Sequence, residues 1–235
     1  MEVILRQKPK NPTIIQGFPG IGLVGTIATE FLLEHLQAEQ IGRVNVEEMP
    51  AAVAIHGGKV VDPFGIFYNK KHNLMVVHAI TPSHGFEWQL ADALLDIAKQ
   101  TSAQEIICLE GVAGSNPEVS GTYFYTKDKQ EAERLKKAGL VPMTEGIIIG
   151  VTGGLLLKAK DIPITCIFSE THTNLPDSKA AAGIIKALDA AMDLEVNEAP
   201  LLKQAEMFEA KLQQILKKGA EAAELSDKKK MSYVG

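Results

Sequence analysis

Nine residues near the N-terminus carry the spacing most suggestive of ligand chemistry. Gly17-Phe18-Pro19-Gly20-Ile21-Gly22-Leu23-Val24-Gly25 follows a β-rich run and opens an amphipathic one, and Gly20, Gly22 and Gly25 match G-x-G-x-x-G. In a dinucleotide-binding fold such glycines permit a tight turn and bring a pyrophosphate against a helix N-terminus. Glu47 and Glu48 lie near the place where an acidic residue would hold the ribose. Two features count against this chemistry. Glu47-Glu48-Met49-Pro50 does not cleanly end a second apolar strand, and Pro19 removes an N–H that could have faced phosphate. The competing account is a strand-to-helix turn whose glycines let the helix pack closely on the sheet. Gly17, Gly20, Gly22 and Gly25 are therefore a candidate ligand turn for a phosphate or nucleoside, with close packing as the alternative. A P-loop is excluded, because Gly25 is followed by Thr26 and not by lysine.

Other reactive residues are scattered. His35, His56, His72, His78, His84 and His172 contain no H-E-x-x-H, so no metal site is expected. His78 sits in an apolar run and reads as a core histidine. Ser83-His84-Gly85, Gly111-Val112-Ala113-Gly114-Ser115-Asn116-Pro117 and Glu170-Thr171-His172-Thr173-Asn174 each follow an apolar run. Strand ends of this kind are where α/β proteins place ligands, so a pocket could lie along one edge of the sheet. No G-x-S-x-G and no fixed Ser/His/Asp set is present, so no catalytic residue is assigned. Cys108 and Cys166 each lie inside an apolar run and read as buried, reduced thiols. No C-x-x-C occurs, and no cofactor is called for.

The elements that must position these residues alternate between strand and helix. Strands are expected at 13–16, 51–55, 74–80, 105–109 and 162–168, mostly as continuous apolar runs. Such runs suit a sheet covered on both faces. Helices are expected at 21–36 and at 86–99, the latter with Trp88, Leu90, Ala91, Leu94 and Leu95 on its buried side. Another is expected at 177–192, with Asp177 as N-cap. A last helix is expected from 201 to 218, with Pro200 near its first turn. The fold class is α/β: a mixed, largely parallel central sheet flanked by helices.

With 235 residues, 46% hydrophobic and 23% charged, the chain is long enough for a sizeable core. Its net charge of −5 argues against general nucleic-acid binding, which needs a dense basic surface. No signal-peptide pattern and no long apolar run is seen, so a cytoplasmic protein without membrane contact is expected.

Taken in order, several segments resemble the proteasome assembly chaperone 2-like family, in its archaeal branch. The most specific is the turn from Gly17 through Gly25. Support comes from Gly111 and Gly114 after a strand, and from Gly146-Ile147-Ile148-Ile149-Gly150 with Leu155-Leu156. More comes from Glu170-Thr171 followed by Asp177-Ser178-Lys179-Ala180-Ala181. The resemblance implies a layout similar to nucleoside phosphorylases, self-association into a homo-oligomer, and a role as an ATP-independent chaperone or activator on the 20S proteasome α-ring. The division it implies is one α/β domain over 1–222 and a flexible tail over 223–235.

Family members with a free tail resemble activators that end in a hydrophobic-Tyr-X sequence. Here Met231, Tyr233, Val234 and Gly235 are the candidate partner-binding residues, but Tyr233 stands third from the end, not second. The tail therefore binds in a shifted register or weakly, or is an incidental end. Two other functions stay open: an enzyme binding a phosphate or nucleoside at the glycine turn, and an assembly scaffold for another small protein.

Overall fold

The computed structural model describes residues 1–49, 53–56, 58–81, 83–114, 121–172 and 175–205. Its centre is built from four apolar strands: β2 (Thr13–Gly17), β7 (Leu74–Ala79), β8 (Glu105–Ala113) and β11 (Ile164–Thr171). They lie in the order β7-β2-β8-β11, all parallel. Each is nearly or wholly buried on both faces, as the continuous apolar runs require.

The flanks of the same nine-stranded sheet are different. On one side β6 (Phe64–Asn69), β3 (Glu39–Asn45) and β1 (Glu2–Leu5) add successively in antiparallel pairs. On the other, β9 (Thr122–Thr126) is antiparallel to β11 and carries a two-residue edge strand, β10 (Val141–Pro142). The expected mixed sheet is present, with its parallel run concentrated at the centre. A separate hairpin, β4 (Ala54–His56) and β5 (Lys59–Val61), lies outside the main sheet. Of the strand expected at 51–55, Ala54 and Ile55 lie in β4 of this hairpin and not in the main sheet. Pro50–Ala52 lie outside the described residues, and Ile55 is 75% exposed on the hairpin.

Helices cover both faces. One face packs Ile15, Val76, Ile107 and Leu109 against α1 (Val24–His35) and α5 (Ser178–Met192). The other packs Ile14, Val77, Cys108 and Phe168 against α2 (Glu87–Thr101) and α4 (Gly150–Lys158). Both cysteines are buried, free and directly opposite each other on β8 and β11. A short helix α3 (Lys129–Lys137) lies between β9 and β10. Asp177 caps α5 as expected, its Oδ1 accepting from the Ala180 N–H at 2.9 Å. The final helix begins at 199, with Pro200 in its first turn, and its expected course beyond 205 lies outside the described residues.

The helix expected at 21–36 is broken near its start. Ile21–Leu23 forms a single 3-10 turn in which Gly22 has φ of +64° and Leu23 a φ of +50°. The left-handed pair redirects the chain, and α1 begins only at Val24. Glycine is required here for a second reason. A Cβ on Gly25 would lie 2.2 Å from the Leu109 carbonyl oxygen, and one on Gly17 would lie 2.2 Å from the Gly25 carbonyl oxygen. A Cβ on Gly111 would meet the Ile21 carbonyl oxygen at the same distance. Backbone thus packs on backbone, and no side chain can yield.

Beside this contact the Thr29 hydroxyl lies 2.9 Å from the Gly25 carbonyl oxygen and 2.9 Å from Nδ1 of buried His78. Thr29 has one proton to donate, and the helix carbonyl can only accept it. His78 therefore donates from Nδ1 and is neutral. Burial lowers its pKa to about 4.

Gly25→Ala tests the packing account. In an ordinary helix the change stabilises by about 1 kcal/mol. Here the added methyl clashes with the β8 backbone, so a loss of at least ~3 kcal/mol in urea unfolding, or failure to fold, is expected.

Candidate functional site

The carboxyl ends of β2, β8 and β11 and the loop after β7 open onto one cavity of about 870 Å³. Ser83, His84, Gly111 and Glu170, from three separate sequence segments, all line it, together with Gly20 of the glycine turn. The parallel strands deliver them to a common edge because each crossover returns the chain to the same side of the sheet.

Behind the cavity wall, ending on the lining residue Glu110, runs a polar relay. Gln16 is fully buried on β2, and its Nε2 donates to the Thr152 hydroxyl at 2.8 Å. Thr152, in the first turn of α4, donates in turn to Glu110 Oε1 at 2.6 Å. Gln16 Oε1 is buried with no hydrogen-bond partner among the described residues. Glu110 Oε2 stands beside Gly20, 3.0 Å from where a Cβ would project. Burial pushes the Glu110 carboxyl up to about 7, against the opposing effect of the Thr152 and Gln16 hydrogen bonds.

The relay depends on how α4 is seated. Gly150, with φ of +79°, turns the chain into the helix. Gly154 then allows close approach to α2, since a Cβ there would lie 3.1 Å from the Ala91 Cβ. Seated this way, α4 turns Thr152 inward onto the sheet.

Further carboxylates surround the mouth. Glu170 Oε2 accepts from the Gly121 N–H at 2.9 Å. Tyr123 is held above the ordinary phenol range, first by burial and then by the neighbouring Glu170. Backbone hydrogen bonds from Glu87 itself and Gly85 lower the Glu87 pKa, and His84 lies 3.8 Å from its carboxylate. Among the described residues no lysine or arginine lines the cavity.

The glycine turn takes on a definite role in this setting. Its backbone packs on β8, Glu110 stands against Gly20, and Gly22 lies against Thr171 and the Asp177 Cβ. The Asp177 N–H donates to the Gly22 carbonyl at 2.8 Å. Two acidic side chains thus flank the place where a phosphate would sit, which favours the packing account of Gly17, Gly20, Gly22 and Gly25.

A sequence profile of the PAC2 family matches residues 14–216. The chain belongs to the PAC2 family. Two Methanocaldococcus jannaschii proteins, both described as uncharacterized, are 26% identical to it. One aligns over 228 residues, 96% of this chain and 94% of its own length. The other aligns over 219 residues, 88% and 84%.

Among solved structures, Pyrococcus furiosus PbaA, described as an archaeal homolog of proteasome-assembly chaperone, superposes with a TM-score of 0.85 at 27% identity. The match covers 97% of this chain and 96% of PbaA. Pyrococcus furiosus PbaB, described as an archaeal proteasome activator, shares the fold at a TM-score of 0.78 and 21% identity, over 91% and 98% of the two chains. This PAC2 chain is therefore related to archaeal proteasome-assembly chaperone homologues.

The structure also corrects the placement of Trp88. It is 52% exposed and does not join the buried side of α2. Lys158 of α4 lies over its ring at 5.3 Å. Met231, Tyr233, Val234 and Gly235 lie outside the described residues, as do Ser115-Asn116-Pro117 and Thr173-Asn174. Sequence reasoning missed Gln16, Glu110 and Thr152 as a set. The available signal was a polar residue at the end of each of two apolar strands, in Ile14-Ile15-Gln16 and Cys108-Leu109-Glu110. Among the described residues no group of three or more potential metal ligands occurs, and no helix is long and apolar enough to cross a membrane.

Glu110 and His78 should tilt the stability profile in opposite senses. The raised Glu110 pKa gives a contribution present below about 4.5 that is lost as pH rises through about 7. The depressed His78 pKa gives one present above 6.5 that is lost as pH falls toward about 4. Relative to the native chain, Glu110→Gln should gain about 2–3 kcal/mol between pH 4.5 and pH 8. His78→Gln should flatten the acid limb instead. Urea unfolding at stepped pH reads both.

Proposed function

We propose that this PAC2 protein is an ATP-independent, proteasome-binding chaperone or activator that docks on the 20S α-ring through its C-terminal tail. The observation that carries this reading is the match to PbaA over nearly the full length of both chains. The tail supplies a physical means of docking. A tyrosine brings buried area and a hydroxyl, and a terminal carboxylate can pair with a pocket lysine. Lys228-Lys229-Lys230 would serve as a solvated spacer ahead of Met231 and Tyr233. In the cytoplasm, a homo-oligomer would present several tails at once, and avidity would compensate for the displaced tyrosine.

An exposed apolar strip supports self-association. Ile149, the extended residue just before α4, and Leu157, in its last turn, are 73% and 74% exposed, and Ile147 is 91% exposed. Trp88 borders the strip, its ring 3.9 Å from where a Gly154 Cβ would lie. Exposed large apolar side chains grouped in this way are a reason to look for an interaction site there.

Two measurements test these points. In a pull-down with archaeal 20S particles, the full chain should bind and a chain ending at Lys230 should bind at least tenfold less. Equal binding by both would refute tail docking, and binding by neither would refute the proteasome role. Ile149→Asp should lower the mass measured by light scattering toward that of one chain, while the circular dichroism spectrum stays unchanged.

A further inference from the structure

The cavity at the carboxyl edge of the sheet has a chemistry of its own. It is large enough for a small ligand or a long side chain, at about 870 Å³. Phe18, Ile21, Met143, Val151 and Phe168 supply apolar wall. The polar groups at its floor and mouth are dominated by acceptors. Glu110, Glu87, Glu145 and Glu170 line it, with no lysine or arginine among the described lining residues. Among the described lining residues His84 is the one able to carry positive charge, and it is fully exposed beside Glu87.

The relay behind Glu110 strengthens the same asymmetry. Thr152 spends its single proton on Glu110 Oε1, and Gln16 spends an amide N–H on Thr152. What remains facing the cavity is Glu110 Oε2 beside Gly20, while behind the wall Gln16 Oε1 is buried with no partner among the described residues. A buried acceptor without a donor is costly, and such groups in native structures usually have a reason. A ligand that brought more acceptors, such as a phosphate or carboxylate, would meet repulsion and find no cation. A ligand that brings only donors would resolve the site. Ammonium and guanidinium groups are donor-only and positively charged.

We infer that this cavity binds a cation on an apolar stem, an alkylammonium or alkylguanidinium, with Glu110 receiving the charged head and the apolar wall taking the stem. The head forms charge-assisted hydrogen bonds to Glu110, and Glu87 and Glu170 add a field of the same sign at the mouth. Such a group exists as a free amine and as the side chain of lysine or arginine in a peptide.

The experiment titrates the full chain, isotopically labelled, with hexylammonium, hexanol, hexanoate and inorganic phosphate, and follows amide resonances of Gly20, Gly111 and Thr152. A parallel titration uses the blocked peptide acetyl-Leu-Lys-Leu-amide. Hexylammonium or the peptide should shift these resonances saturably, at least tenfold more tightly than hexanol. Phosphate and hexanoate should leave them unmoved. Tighter binding of the peptide assigns the site to a lysine side chain, and tighter binding of hexylammonium assigns it to a free amine. Glu110→Gln, folded by circular dichroism, should weaken the cationic probe at least tenfold and leave hexanol unchanged. A second variant, Glu170→Gln, should weaken it by a smaller factor. The inference is overturned if hexanol binds as well as hexylammonium, if phosphate moves the same resonances, if no probe binds, or if a folded Glu110→Gln chain binds the cation normally.

Discussion

The molecule depends on a contact made by atoms that are missing. Where β2 turns into α1, the helix rests its backbone on the backbone of β8, because Gly17, Gly25 and Gly111 carry no side chains. Most helix–sheet packing is cushioned by side chains that can change rotamer. Here carbonyl oxygens of Gly25, Leu109 and Ile21 occupy the space a Cβ would need. The helix is therefore fixed in height and rotation, and Thr29 is brought against His78. On the same strands, Gln16 and Glu110 face the opposite side and meet α4. The two faces are coupled through β2 and β8: the strands that seat α1 also carry the polar relay.

The relay shows how such a core tolerates polarity. Gln16, Thr152 and Glu110 come from β2, α4 and β8, far apart in sequence, and each supplies what the previous one lacks. Thr152 accepts from the Gln16 amide and gives its one hydroxyl proton to Glu110. A half-satisfied buried network is generally worse than an apolar core. Gln16 and Thr152 are wholly buried, and Glu110 alone of the three reaches the cavity.

Much of the fold was legible because burial on both faces writes itself as continuous apolar sequence. All four central strands and α1, α2 and α5 were visible in this way, and Asp177 announced the start of α5. The flanking elements carried weaker signals. β3, next to the edge strand β1, mixes polar and apolar residues, and β6 is only partly buried. In α3 only Leu135 is buried, so no periodic stripe exists. Its N-terminus was nonetheless readable, since Asp128 accepts from the Glu131 N–H in the pattern of a capping box. α4 was hidden by its glycines, which lower helix propensity but allow contact with α2. Trp88 misled because an aromatic on an amphipathic helix reads as core. Of the site, the loops around the cavity could be anticipated from strand ends, whereas the relay required knowing which strands are neighbours.

The edge strand β10 bears on how copies of this chain can meet. It is two residues long and ends in Pro142, which has no N–H to offer an incoming strand. The opposite edge, β1, is itself only four residues long. Neither border can template long runs of added strands, the usual route to open-ended growth. Among the described residues, that leaves the helical and loop faces, and not the sheet borders, as surfaces on which copies could meet.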